Sequence, residues 1–248
     1  MGVVRDEMTT ATATIDVRRA DTRFHTRLPW LDSRHSFSFG HHRDAANTHH
    51  GLLLVNNDDV VRAGTGFDTH PHRDMEIVTW VLDGELEHKD SVGNKGVIYP
   101  GLAQRMSAGT GIWHSEMNPR GDADVHFVQM WVLPDTERVD PSYEQLDINA
   151  EIDRGGLVPV ASGRGHDTAI AIRQRDAVLW GGRLRPGEQV SVPDARWVHL
   201  FVARGAAELA GAGRLYEGDA ARLTAAGSAR LVADAKRGAE VLIWETRR

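Results

Sequence analysis

No stretch of this chain carries an apolar pattern at the helical period. Short β-branched and apolar runs recur instead, each cut off by a turn rich in Gly, Asp or Asn. A sequence without amphipathic helices can bury the apolar faces of its strands only against other strands. That points to an all-β sandwich or barrel. Leu52 to Val55 reads as a strand ending in a turn at Asn56-Asn57-Asp58-Asp59. Ile77 to Leu82, the turn Asp83-Gly84 and Glu85 to His88 predict a hairpin, and Gly93 to Gly96 predicts a further turn before Val97-Ile98-Tyr99. Val125 to Leu133 is a strong strand. Later, Trp197 to Ala203, a turn at Arg204-Gly205, and Ala206 to Leu209 repeat the style. Pro141 to Ile148 is the one place for a turn of helix.

The histidines divide the chain. Eleven of the 13 fall between His25 and His126, while Ala and Gly crowd the last fifty residues. Two units of different chemistry are expected, with a join between about residues 135 and 160: a flexible tail over 1–14, an N-terminal binding unit over 15–140 and a C-terminal unit over 141–248. The second repeats the turn–strand order of the first without its histidines. With no cysteine, thiol catalysis, Cys-ligated zinc and iron–sulfur clusters are excluded. A net charge of −6 argues against direct binding to nucleic acid. No apolar run approaches the ~20 residues of a membrane helix, and no apolar segment follows Met1 to Asp6, so a cytoplasmic protein with no membrane contact is expected.

The densest chemistry is Thr69-His70-Pro71-His72-Arg73-Asp74-Met75-Glu76, followed 42 residues after His72 by His114-Ser115-Glu116. Side chains two apart on a strand share a face, so His70 with His72, and His114 with Glu116, form two inward pairs. Three imidazoles and a carboxylate suit Fe(II), Mn, Ni, Cu or Zn, and such a set leaves coordination positions open for substrate. Strand parity places Glu76 on the same face as His72, so parity alone leaves the choice between Glu76 and Glu116 open. His41-His42 and His49-His50, being adjacent, point to alternate faces and read as loop residues near the barrel mouth. His88 and His126 read as core or surface histidines. Trp80, Trp113 and Trp131 read as core, with Trp113 beside a ligand.

These residues resemble a known family. Gly64-x5-His70-x-His72-x3-Glu76-x7-Gly84 is similar to the first cupin motif and Gly109-x-Gly111-x2-His114-x3-Asn118 to the second, with Gly109 where many cupins carry Pro. Within cupins, His70 to Glu76, Met106 to Gly111, His114-Ser115-Glu116 and the opening Trp30-Leu31-Asp32-Ser33 and His35 to Phe39 resemble pirins, over about residues 15–150. The resemblance implies a bicupin: two face-to-face β-barrels, each a double-stranded β-helix, the C-terminal one degenerate. It implies one divalent metal, Fe(II) first and Zn, Mn, Ni, Cu or Co as substitutes, on His70, His72, His114 and Glu116. The pirin pattern favours Glu116 over Glu76, which then takes a supporting place.

Bacterial pirins resemble flavonol dioxygenases. The activity implied is O2-dependent cleavage of an enol-bearing flavonol such as quercetin, with Glu116 as ligand, proton acceptor or both. Eukaryotic pirins imply a different class, an iron-binding redox sensor whose partner is a protein. A zinc-dependent cupin isomerase or hydrolase is a third class.

Overall fold

The structure, a computed structural model, describes residues 12–247, so the expected tail over 1–14 lies outside the described residues except for its last three positions. In chain order the first half contributes β1 (Thr14–Arg18), β2 (Phe24–Leu28), β3 (Leu31–His35), β4 (Leu53–Val61), β5 (Gly66–His72), β6 (Glu76–Asp83), β7 (Leu86–Asp90), β8 (Lys95–Ile98), β9 (Leu102–Ser107), β10 (Ile112–Met117), β11 (Val125–Val132) and β12 (Ser142–Asp147). After the short helix α1 (Asn149–Ile152) come β13 (Val158–Ser162), β14 (Ile170–Ala171), β15 (Ala177–Leu184), β16 (Gln189–Ser191), β17 (Trp197–Leu209), β18 (Gly213–Tyr216), β19 (Ala220–Thr224), β20 (Arg230–Ala233) and β21 (Ala239–Thr246). Among the described residues no helix is long and apolar enough to cross a membrane.

Three sheets result. A seven-stranded antiparallel sheet, β12-β9-β6-β11-β4-β3-β2, faces a four-stranded sheet, β5-β10-β7-β8, and the second half forms a ten-stranded sheet that wraps on itself. Among the described residues none closes its hydrogen bonds into a ring; each barrel is two cupped layers. The centre of the seven-stranded sheet is buried on both faces. Val81 and Phe127 look inward to Leu86 and Ile98 of the four-stranded sheet. Val78, Trp80, Val128 and Met130 look the other way, to Leu179, Phe201, Leu242 and Trp244 of the second half. Two buried faces are why β6 and β11 read as almost unbroken apolar runs, whereas the solvent-backed β7 and β10 alternate. Val198, Leu200, Val202 and Ile243 fill the second barrel.

Sheet membership does not follow chain order at either end. β1 pairs with β19, register Thr14 to Thr224, and so belongs to the second half's sheet. β12 pairs with β9 and extends the first half's.

Several turn expectations are corrected. Asp83-Gly84 is no hairpin: β6 already has β9 and β11 on its two edges, so after Gly84 (φ 79°) the chain crosses to the opposite sheet, where β7 pairs with β8 and β10. Gly93-Asn94 does join a hairpin. Asn56 to Asp59 lies inside β4, and Asn56, Asn57 and Asp59 are buried. Arg204-Gly205 lies inside the single long strand β17, just past a bulge between Val202 and Arg204, and there the strand passes from β21 and β19 onto β18 and β20. Residues 142–147 form a strand; the one α-helix among the described residues follows it.

Candidate metal centre

The four-stranded sheet assembles the site by strand alternation. β5 and β10 run antiparallel with His70 opposite His114 and Pro71 opposite Trp113. The register slips between His114 and Glu116, and Gly66 lies against that bulge: a Cβ there would meet the Glu116 carbonyl oxygen at 2.3 Å and Met117 Cα at 2.6 Å. Glycine lets the two strands close. On the other edge of β10, Asp90 lies opposite His114 and His88 opposite Glu116. Three neighbouring strands therefore each turn a pair of polar side chains to the barrel interior.

The imidazoles of His70, His72 and His114 converge. Ring centroids are 4.8 Å apart for His70–His72, 4.5 Å for His70–His114 and 4.9 Å for His72–His114. One candidate ligand atom from each lies within 4.8 Å of the others, a spread that one ion with bonds of about 2.0–2.1 Å spans after small ring rotations. His70 Nδ1 donates to the Asp68 carbonyl at 2.7 Å, which leaves Nε2 as a lone pair. The Nε2 atoms of His72 and His114 are buried and have no hydrogen-bond partner, a costly condition that a bound cation relieves. Burial first, then the neighbouring imidazoles His114 and His70, push His72 down to about 4. Burial, then His70 and His88, push His114 down to about 3. Both are neutral at physiological pH, the state a metal needs. The residues fit a divalent ion.

Glu116 is 2% exposed. Gln129 Nε2 donates to its Oε2 at 2.6 Å and Thr79 Oγ1 to its Oε1 at 3.4 Å. Trp131 Nε1 donates to Gln129 Oε1 at 3.1 Å, fixing the amide. In candidate-ligand distances Glu116 groups with His114 and His88, not with the full set of three imidazoles. Glu76 is turned elsewhere. It accepts from Ser107 Oγ at 2.8 Å and from the Arg173 backbone N–H at 3.1 Å, tying the first half to the second.

A 590 Å3 cavity opens beside the imidazoles, with His70, His72, Glu116 and Gln129 at one end and Trp30, Phe39, Phe67, Met117 and Trp131 in its walls. Trp30 meets Phe67 edge-on at 5.1 Å, and Trp131 meets Phe39 at 5.5 Å and His72 at 4.9 Å. Trp80 is core as expected, but Trp131 is a pocket wall and Trp113, 53% exposed, borders an outer groove with Pro71 and Arg73. His41, His42, His49 and His50 do not line the cavity. His50 is buried against the second half, where its Nε2 lies 3.1 Å from the Leu223 carbonyl oxygen.

Two cupped layers per half, a second half without the histidine set, and convergent imidazoles on one inner face define a bicupin with one candidate metal centre. Residues 16–132 match the pirin family, and residues 159–246 match the quercetinase C-terminal cupin domain. A Mycobacterium tuberculosis protein, named provisionally as a quercetin 2,3-dioxygenase, is 59% identical over 235 residues, covering 94% of this chain and 96% of its own. The quercetin 2,3-dioxygenase of Escherichia coli K12 is 43% identical over 175 residues, 71% of this chain and 74% of its own. The crystal structure of the bacterial pirin YhhW from Escherichia coli in complex with nickel(II) superposes with a TM-score of 0.86 at 35% identity, covering 95% of this chain and all of that one. This chain belongs to the pirin family.

Proposed function

We propose that this protein is a metal-dependent dioxygenase that cleaves a flavonol such as quercetin with O2. The observation that carries the reading is the convergence of three imidazoles, two of them with orphaned nitrogens, at the end of an aromatic-walled cavity of 590 Å3. That size suits a flat, drug-sized ligand. His70, His72 and His114 would hold the ion, with Glu116 beside them. Relatives named for quercetin cleavage and one solved with nickel(II) support the reading.

A divalent ion there supplies Lewis-acid polarisation of an enolic oxygen. The chain does the rest. Trp30, Phe39, Phe67 and Trp131 present apolar faces and edges to a flat ring system and keep water from it. Glu116 takes the enolic proton on Oε1, the oxygen whose only hydrogen bond is long, while Gln129 holds Oε2. The enolate so formed reacts with O2, and the ring opens with loss of carbon monoxide.

The test is oxygen uptake with a flavonol panel on protein loaded in turn with Fe(II), Ni, Mn, Co, Cu and Zn, beside His72→Ala. Wild type consumes oxygen with at least one metal, and His72→Ala loses both metal and turnover. Loaded wild type that binds metal but turns over no flavonol refutes the dioxygenase reading.

A further inference from the structure

The strand beside the candidate ligands carries a buried pair that the proposed reaction leaves without a task. His88 is fully buried, and its Nε2 lies 3.1 Å from Asp90 Oδ2 in an environment closed to solvent. Asp90 is itself tied down. Its Oδ1 accepts from the Val92 and Asn94 backbone N–H groups at 3.0 Å each, and its Oδ2 accepts from Asn94 Nδ2 at 2.9 Å. On its other side, His88 Nδ1 lies 3.4 Å from His114 Nδ1. The ring is clamped there, stacked on Tyr143 at 4.6 Å and 25°.

The chemistry of these atoms runs in one direction. A carboxylate that receives only donors makes His88 Nε2 an N–H. A neutral imidazole then offers a lone pair at Nδ1. The facing His114 Nδ1 must carry the proton, because two lone pairs cannot face each other at that distance in a dry interior. His114 is thereby left with its lone pair on Nε2, the buried atom that has no partner, available to the group it forms with His70 and His72.

We infer that Asp90 and His88 are positioning residues. Through a carboxylate–imidazole–imidazole relay they fix the tautomer of His114 and raise its basicity as a ligand. The inference rests on the metal reading above. It gives His114 the same service that the Asp68 carbonyl gives His70, from a carboxylate one ring further out.

The experiment compares wild type, His88→Phe, His88→Gln and Asp90→Asn for Co(II) affinity by chelator competition, with the Co(II) visible spectrum and the thermal stability of the metal-free proteins alongside. His88→Phe keeps the ring on Tyr143 and removes both nitrogens; His88→Gln restores an acceptor oxygen. Wild type is expected to bind one equivalent. His88→Phe should bind 10–100-fold more weakly with an altered spectrum, Asp90→Asn should fall between, and His88→Gln should recover most of the loss. Long-range proton–nitrogen NMR on metal-free wild type should show His114 protonated at Nδ1, a result that needs no variant to fold. Undiminished affinity and spectrum in His88→Phe, or His114 protonated at Nε2, overturns the relay alone. So does binding of two equivalents that falls to one in His88→Phe, since His88 would then be a ligand in the group it forms with His114 and Glu116. Wild type that binds no Co(II) overturns the metal reading together with this inference.

Discussion

Replacing Asp59 with Asn should change how stability depends on pH, and the size of the change follows from the Asp59 environment. Asp59 sits on β4 inside the first barrel, 3% exposed, and accepts a hydrogen bond from Ser33 Oγ. Burial lifts its carboxyl to about 7; the Ser33 hydrogen bond opposes this, and the neighbouring charges of Asp58 and Glu116 add to it. In the unfolded chain the same group ionises near 3.8. Between those values the folded protein binds the proton and the unfolded chain does not. Stability from this group is therefore full below about 4 and is lost as pH rises through about 7. At ~1.4 kcal/mol per pH unit, the interval amounts to roughly 4 kcal/mol above pH 7. Asn mimics the neutral acid and removes this dependence. In chelator-treated protein, Asp59→Asn should gain on wild type progressively from pH 5 to pH 8, with a difference of roughly 10 °C in Tm at the upper end. Thermal unfolding at four pH values measures it. A difference between the two proteins that stays constant from pH 5 to pH 8 would refute the reasoning.

Three further outcomes are expected. Gly66→Ala drives a methyl into the Glu116 carbonyl and Met117 Cα, so strand β5 must part from β10; a loss of about 1–3 kcal/mol in urea unfolding and weaker metal binding should appear together. Glu76→Ala leaves the Arg173 N–H and Ser107 hydroxyl without their acceptor; it should cost about 1–3 kcal/mol yet leave metal stoichiometry intact, and loss of the metal would make Glu76 a ligand after all. Trp131→Ala removes the wall that contacts both His72 and Phe39; losing about 0.5–1.5 kcal/mol of aromatic contact should raise the KM for quercetin several-fold, read by oxygen uptake, and an unchanged KM would take Trp131 out of the binding surface.

The parts of the site that were legible obey a local rule. His70 with His72 and His114 with Glu116 differ by two positions, and a strand's period of two puts each pair on one face wherever the strand goes. What stayed hidden depends on which sheet a strand joins. Asp83-Gly84 has the letters of a hairpin turn, yet the edges of β6 were already taken. Asn56 to Asp59 has the letters of a loop, yet Asn57 and Asp59 point into a barrel interior that is polar around the site, and the backbone stays extended. His88 and Asp90 show the same spacing as the other two pairs, and that repetition was the available signal. It was masked because one histidine in an alternating strand is ordinary, and only the pairing of β7 with β10 brings it to His114. Trp30 and Phe39 lie far in sequence from His70, and nothing local ties them to the cavity they help line.

The pairing of β1 with β19 sets a timetable for the growing polypeptide. Thr14–Arg18 leaves the ribosome long before its docking edge at Ala220–Thr224 has been made. During that interval β1 lacks its β19 partner, while the histidine-bearing half behind it can already collapse. The second half's sheet is then completed by a strand made well ahead of it, so removing Thr14–Arg18 should strip the β19 edge of its partner and loosen that sheet first.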